Sequence, residues 1–131
     1  RENFLVVRPQ TDANKPGPKP EMLQEMRLLL LEEGHCFRDQ AMNFCKMGSP
    51  NTQDIMDGNS LTTLVQMVAA GFGVTLIPEM AVEFEGRIPN ISIAKFDKMP
   101  PQRKIGMVWR RNSPLKDKYY EIAQIVKSTK S

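Results

Sequence analysis

The chain has 131 residues, enough for one domain, or for one domain and a piece of another, and enough to bury a core without a disulfide. Hydrophobic residues make up 40% and charged residues 25%, ordinary globular values that exclude disorder, collagen and coiled coil as descriptions of the whole. The net charge is +3 with a pI near 9.0, and the longest apolar run, Leu28 to Leu31, is far too short to span a bilayer.

Asn3 to Arg8 predicts a short buried strand that ends at Pro9. Gln10 to Pro20 holds Asp12, Asn14, Pro16, Gly17, Pro18 and Pro20, which predicts an exposed loop. Glu21 to Glu25 has room for one or two helical turns. Arg27 to Leu31 stops at Glu32-Glu33-Gly34 and by its length is a strand buried on both faces, the mark of a parallel sheet. Phe37, Ala41, Phe44 and Cys45 then fall at i, i+4, i+7 and i+8, one stripe of a helix that Gly48-Ser49-Pro50 ends. A short strand over Thr52 to Met56 and an Asp57-Gly58-Asn59 turn follow. Ser60 is suited to cap the next helix, whose stripe is Leu61, Leu64, Val65 and Val68 and whose C′ residue is Gly71. Gly73 to Pro78 predicts a strand and Met80 to Phe84 one helical turn. Ile88 to Phe96 reads as a strand weakened by Pro89, and Arg103 to Arg110 as a better one with Ile105, Met107 and Trp109 on one side. Ser113 and Pro114 supply an N-cap and an N1 proline, and Leu115, Tyr119, Ile122 and Val126 carry a helix to about Lys127. The alternation of strands and helices predicts an α/β fold with a largely parallel sheet.

Two features of organisation stand out. The first strand and the last strand–helix pair flank the middle, as in an inserted lobe reached by two crossing strands, with hinges after Arg8 and at Met99-Pro100-Pro101. The last third is basic: Arg103, Lys104, Arg110, Arg111, Lys116, Lys118, Lys127 and Lys130 stand against Asp117 and Glu121. No aromatic platform interleaves these charges, so they read as a solvated helix face and strand end rather than a nucleic-acid surface. The start at Arg1-Glu2-Asn3 leads us to expect no signal peptide and a longer parent protein. One His and two Cys leave no metal constellation, and two cysteines without a leader suggest a reducing cytosol.

The informative segment runs from Gly34 to Cys45. Cys36 stands where a buried strand turns into a helix, a position whose unpaired N–H groups and dipole favour a thiolate, with His35 and Arg38 as cationic neighbours. A thiolate attacks peroxide and becomes a sulfenic acid, which condenses with a second thiol within reach. Cys45 follows nine residues later, about 13 Å along an intact helix, whereas a disulfide needs Cα atoms within about 7 Å. Joining the two therefore requires the helix to melt. The crosslink contributes about 3 kcal/mol, and the melted helix forfeits the burial of Phe37 and Phe44, about 1.5–3 kcal/mol each. Magnitudes this close describe a switch whose position the redox potential sets. The plainer reading keeps both cysteines inert: Cys45 lies on the apolar stripe, and free cysteines are commonly buried as small apolar residues.

The run Gly34-His35-Cys36-Phe37-Arg38-Asp39-Gln40-Ala41-Met42, with Cys45 after it, resembles the sensor motif of the OxyR branch of LysR-type regulators, including the rhizobial members of that branch. Ser60-Leu61-Thr62-Thr63-Leu64, Met67-Val68-Ala69-Ala70-Gly71 and Leu76-Ile77-Pro78 resemble the wider LysR-type family, as do Ile105-Gly106-Met107-Val108-Trp109-Arg110 and Ser113-Pro114-Leu115.

The resemblance implies a periplasmic-binding-protein-like, Rossmann-type lobe, the second and inserted lobe of a regulatory domain. Residues 1–8 would be the hinge strand from the first lobe, 9–103 the redox-sensing lobe, and 104–131 the return strand and helix of the first lobe. It implies a cytoplasmic transcription regulator rather than an enzyme, with no cofactor. The parent would be a homodimer or homotetramer that meets promoter DNA through an N-terminal domain, works with RNA polymerase and responds to hydrogen peroxide. The family's peroxidatic cysteine falls on Cys36 and its resolving cysteine on Cys45. Arg103 matches an arginine near the reactive sulfur, Asp39 a residue linked to moving it, and His35 and Arg38 positions lining the site. Two departures bear on this: Phe37 replaces a common Leu and Asn43 a common Gly, and the second makes the helix harder to melt. A sensor that stops at sulfenic acid or a mixed disulfide needs Cys36 alone. The alternative is a small-molecule effector domain, in which Ser60, Thr62 and Thr63 at a helix N-terminus bind an anion, although plain capping explains the same hydroxyls.

Overall fold

The computed structural model describes residues 1–32, 34–44 and 57–129. Its centre is β1 (Glu2–Pro9), in which Phe4, Val6 and Val7 are fully buried. β1 lies between β4 (Thr75–Pro78) and β5 (Ile91–Ala94), in register from Phe4↔Pro78 to Val7↔Thr75 on one side and from Val6↔Ala94 to Pro9↔Ile91 on the other. At its start β1 also pairs with β6 (Gln102–Arg103) through Glu2↔Arg103 and Asn3↔Gln102. All three pairings are antiparallel.

The parallel part is built on β2 (Leu30–Leu31), which pairs with β3 (Asp57–Gly58), and on a parallel bridge between Leu28 and Val74. The expectation of a largely parallel sheet is therefore corrected. β2, β3, β4 and β5 run one way and β1 runs against them. Parallel neighbours need a helical crossover. Residues 10–27 supply only two 3-10 turns, Gln10–Asp12 and Pro20–Gln24, so β1 joins the sheet reversed.

Helix α1 (Cys36–Phe44) and helix α2 (Leu61–Ala69) provide the crossovers. Side chains alternate along a strand, and the two cores follow that period of two. Phe4, Val6, Leu28, Leu30, Val74 and Leu76 join one cluster with Ala41 of α1, while Val7, Leu29, Leu31 and Ile77 join the other with Leu64, Val65 and Val68 of α2. Residues 28–31 are thus buried on both faces, as their unbroken apolar run requires. The α2 signals all hold. Ser60 Oγ accepts from Thr63 N at 3.2 Å, and Gly71 follows the helix with φ +87°, a left-handed conformation that favours glycine. Burying Leu64, Val65 and Val68 is worth about 1.5–3 kcal/mol each.

The remaining elements follow the sequence pattern in part, and the helical turn expected over Met80 to Phe84 is present. Asp57-Gly58 is a strand and not part of a turn, because β2 offers it a parallel partner. The Met80 region forms a 3-10 turn, Glu79–Ala81, that runs into the short helix α3 (Val82–Glu85). The strand expected over Ile88 to Phe96 is confined to β5, after the positive-φ turn at Asn90. Of the strand expected over Arg103 to Arg110, only Arg103 is paired, within β6. Residues 104–110 face no ladder partner among the described residues, and a strand without one does not form. Ser113 and Pro114 precede the last helix rather than start it. Lys116 N bonds to Ser113 O at 3.2 Å in a turn, and α4 spans Lys116–Ser128 with Leu115 at the cap. No residue of α4 is buried. Cys45, Gly48-Ser49-Pro50 and the strand expected over Thr52 to Met56 lie outside the described residues.

Candidate functional site at the start of α1

Between the last residue of β2 and the first of α1 the chain turns within a few residues. Gly34 adopts φ +91°, which a side chain would resist, and His35 N bonds to Glu32 O at 3.4 Å. The turn delivers Cys36 as the first residue of α1, among backbone N–H groups that have no partner within the helix. Cys36 is a free cysteine, and it is exposed, as are His35 and Asp39.

The opposite face of α1 is anchored. Phe37 packs against both core clusters, its ring 5.2 Å from that of Phe4, and the Phe44 ring is 4.7 Å from Phe4 on the same side. Ala41 fits between helix and sheet at 1% exposure. Arg38, expected beside the sulfur, is buried: its Nη1 donates to Leu31 O at 2.7 Å and to Asp57 Oδ1 at 2.8 Å. The guanidinium thus ties α1 both to the strand before it and to β3. Taking Asp57 away would leave the buried guanidinium without this counter-charge, at a cost that water reaching the exposed carboxylate position would reduce.

Arg103 reaches the same helix from β6. Its guanidinium carbon lies 5.8 Å from the centroid of Phe37, the neighbour of Cys36, and 5.9 Å from that of Phe4. Its Nε donates to Glu2 Oε2 at 2.7 Å. Glu2, Asp57 and Phe4 are parts of this arrangement that sequence reasoning did not single out. Glu2 carried a signal, since it shares the period of Phe4 and Val6 and so the face that turns inward. Asp57 carried none, having been assigned to a turn.

The three hydroxyls at the start of α2 are engaged elsewhere. Ser60 Oγ lies 3.0 Å from Thr63 Oγ1, Thr63 Oγ1 donates to Asn59 Oδ1 at 3.0 Å, and Thr62 Oγ1 donates to the buried Glu85 at 3.0 Å. Among the described residues no group of His, Cys, Asp and Glu could hold a metal ion, and no helix is long and apolar enough to cross a membrane.

The LysR substrate binding domain family matches residues 1–130. Over 102 residues the chain is 41% identical to the DNA-binding transcriptional dual regulator OxyR of Escherichia coli K12, covering 78% of this chain and 33% of that protein. Over 128 residues it is 39% identical to a probable hydrogen peroxide-inducible genes activator of Mycobacterium avium, covering 95% of this chain and 41% of that protein. The chain therefore spans between a third and about two-fifths of these relatives' length. Among solved structures it is similar to a hydrogen-peroxide-bound variant of OxyR from Corynebacterium glutamicum, with a TM-score of 0.84, 32% identity, and coverage of 97% of this chain and 41% of that one. It is also similar to the reduced OxyR regulatory domain of Pseudomonas aeruginosa, with a TM-score of 0.79, 32% identity, and coverage of 96% and 62%.

Proposed function

The chain belongs to the LysR substrate binding domain family, and on that footing we propose that it is the peroxide-sensing part of an OxyR-like transcription regulator in which Cys36 is the residue that reacts. The observation that carries this reading is the placement of Cys36: exposed, unpaired, and first in a helix whose other face is packed and ion-paired. Its surroundings suit a group that meets a small solute from solvent while the helix behind it reports on the outcome. The similarity to hydrogen peroxide-inducible activators and to a peroxide-bound OxyR gives the solute.

In chemical terms the Cys36 thiolate attacks one oxygen of hydrogen peroxide, the O–O bond breaks, and hydroxide leaves, giving the sulfenic acid. If the Cys45 thiol then attacks that sulfur, a disulfide forms and water departs. The first step needs no rearrangement. The second needs the two sulfurs to meet, which a helix running on from Cys36 through Cys45 would prevent, since nine helical residues rise about 13 Å. His35 and Asp39 stand exposed beside Cys36 and are available to a peroxide arriving there.

The proposed organisation has residues 9–103 as the sensing lobe and 104–131 in the first lobe; β1, which the resemblance made a hinge strand of the first lobe, runs through the centre of the sensing lobe's own sheet. That division is supported by the two crossing strands running side by side at Glu2↔Arg103, and by an α4 none of whose residues is buried. In the parent protein, oxidation at Cys36 would reset lobe and subunit geometry and so the promoter contacts made by a separate DNA-binding domain.

The test is intact mass and peptide mapping after one equivalent of hydrogen peroxide, on wild type, Cys36→Ser and Cys45→Ser. Wild type should lose two hydrogens through a Cys36–Cys45 link, or gain one oxygen at Cys36. Cys45→Ser should still gain oxygen at Cys36, and Cys36→Ser should do neither. A Cys36→Ser regulator that keeps its full peroxide response at a target promoter would sink the proposal.

A further inference from the structure

A half-buried ion pair joins β1 to β6 and reaches α1 through the Phe37 ring. Glu2 is 8% exposed, and both its carboxylate oxygens are engaged: Oε2 accepts from Arg103 Nε at 2.7 Å and Oε1 from the Met80 backbone N–H at 2.8 Å. Arg103 Nη2 lies 3.4 Å from Met80 Sδ, which closes a ring of contacts among β1, β6 and the Glu79–Ala81 turn. The face of the guanidinium spans two aromatic rings, Phe4 of β1 and Phe37 of α1, within the roughly 6 Å at which a cation is attracted to a ring.

We propose that Glu2 is a positioning residue: its carboxylate fixes Arg103 as a clamp over Phe4 and Phe37, so that α1 cannot leave the sheet until the β1–β6 crossing lets Arg103 go. The link to redox sensing rests on Cys36 being the reactive residue of α1. The clamp itself rests on contacts alone. An arginine on a surface strand places its charged head in water unless something holds it. Here the register Glu2↔Arg103 sets the two side chains opposite each other on neighbouring strands, so pairing needs no reach. Glu2 also shares the inward face of Phe4, so the carboxylate draws the cation over the rings rather than away from them. Shearing β1 against β6 breaks that register and removes the clamp. Releasing Phe37 strips Arg103 of one of its two rings. Coupling of this kind works equally in both directions.

The experiment is hydrogen exchange of reduced full-length protein, followed for α1 and, as an internal reference, α2. Glu2→Gln should speed exchange in α1 about fivefold, the size of one partly desolvated cation–π contact, with α2 unchanged. Arg103→Lys keeps the charge but loses the planar group, and should do the same, which covers the case in which Glu2→Gln does not fold. In an Arg103→Met background Glu2→Gln should add nothing further, whereas a merely structural carboxylate would add its full effect. Glu2→Asp should restore part of the protection. With a glutathione buffer as the oxidant, the Cys36–Cys45 equilibrium of Glu2→Gln should move about fivefold toward the disulfide. Wild-type exchange in α1 of both Glu2→Gln and Arg103→Lys overturns the clamp, as does full additivity with Arg103→Met. If α1 loosens as expected while Cys36 never oxidises, the clamp stands and the redox role of Cys36 falls.

Discussion

Helices α2 and α4 carry the same amphipathic period, yet α2 buries Leu64, Val65 and Val68 to 1% exposure or less while α4 leaves Ile122, Ile125 and Val126 at 47%, 62% and 59%. The difference lies in what precedes them. α2 closes a parallel crossover between β3 and β4, so its stripe falls on the sheet. α4 follows residues 104–115, which have no strand partner among the described residues, so its stripe stays largely open, with Tyr119 resting on Trp109 at 6.2 Å between ring centroids. Val108 at 94% and Ile105 at 59% exposure are open as well. An apolar stripe states which face wants cover. It does not state that the cover lies within the same 131 residues. So many exposed large apolar side chains within residues 104–131 are what a covered interface would use, which agrees with the proposal that this segment completes another lobe.

Mutations at the packed end of the comparison should have the largest effects. Phe4→Ala removes a fully buried ring and the contact surface of Phe37, Phe44 and Arg103, and should cost about 3–5 kcal/mol in urea unfolding. Leu64→Ala in α2 should cost about 2–5 kcal/mol by the same measurement. A loss under about 1 kcal/mol at Leu64 would mean that α2 does not pack as described. α1 lies between the extremes, since a buried arginine paired with a surface aspartate secures it as well as apolar contact. Asp57→Ala leaves the Arg38 guanidinium with Leu31 O and no counter-charge. Because Asp57 is itself 36% exposed, water offsets part of the penalty, and the expected cost is about 1–3 kcal/mol, read as faster exchange in α1. Ser60→Ala, which removes one cap from α2, should cost about 1 kcal/mol.

The same division separates what the amino-acid pattern makes legible from what it does not. β1, the α2 stripe with Ser60 and Gly71, and the strand-to-helix turn at Cys36 can all be read because local pattern, cap and turn chemistry agree there. The reversal of β1 cannot, since direction is settled by partners far along the chain. Asp57-Gly58 is a strand only because β2 lies beside it, and residues 104–110 are not one only because nothing does. The site divides in the same way. Cys36 is visible from its neighbours in sequence, whereas Arg38 meets Asp57 across 19 residues and Arg103 meets Glu2 across 101. The inward face of Glu2 can be read from the strand period, but neither pairing can be read from the residues next to it.

The smallest predicted effect gives the sharpest comparison. Ile125→Ala in the 131-residue chain should change stability by less than about 0.5 kcal/mol, because a side chain already 62% exposed loses little on truncation. In the full-length protein the same substitution should cost about 2–5 kcal/mol if the first lobe covers α4, the ordinary loss for a large aliphatic residue cut back in a core. Leu64→Ala supplies the control, with one value in both contexts, because everything that packs on it lies within residues 1–103. An Ile125→Ala effect equally small in the full-length protein would leave α4 uncovered there too. The assignment of 104–131 to the first lobe would then fail, and the packing around α1 and α2 would be unaffected by that outcome.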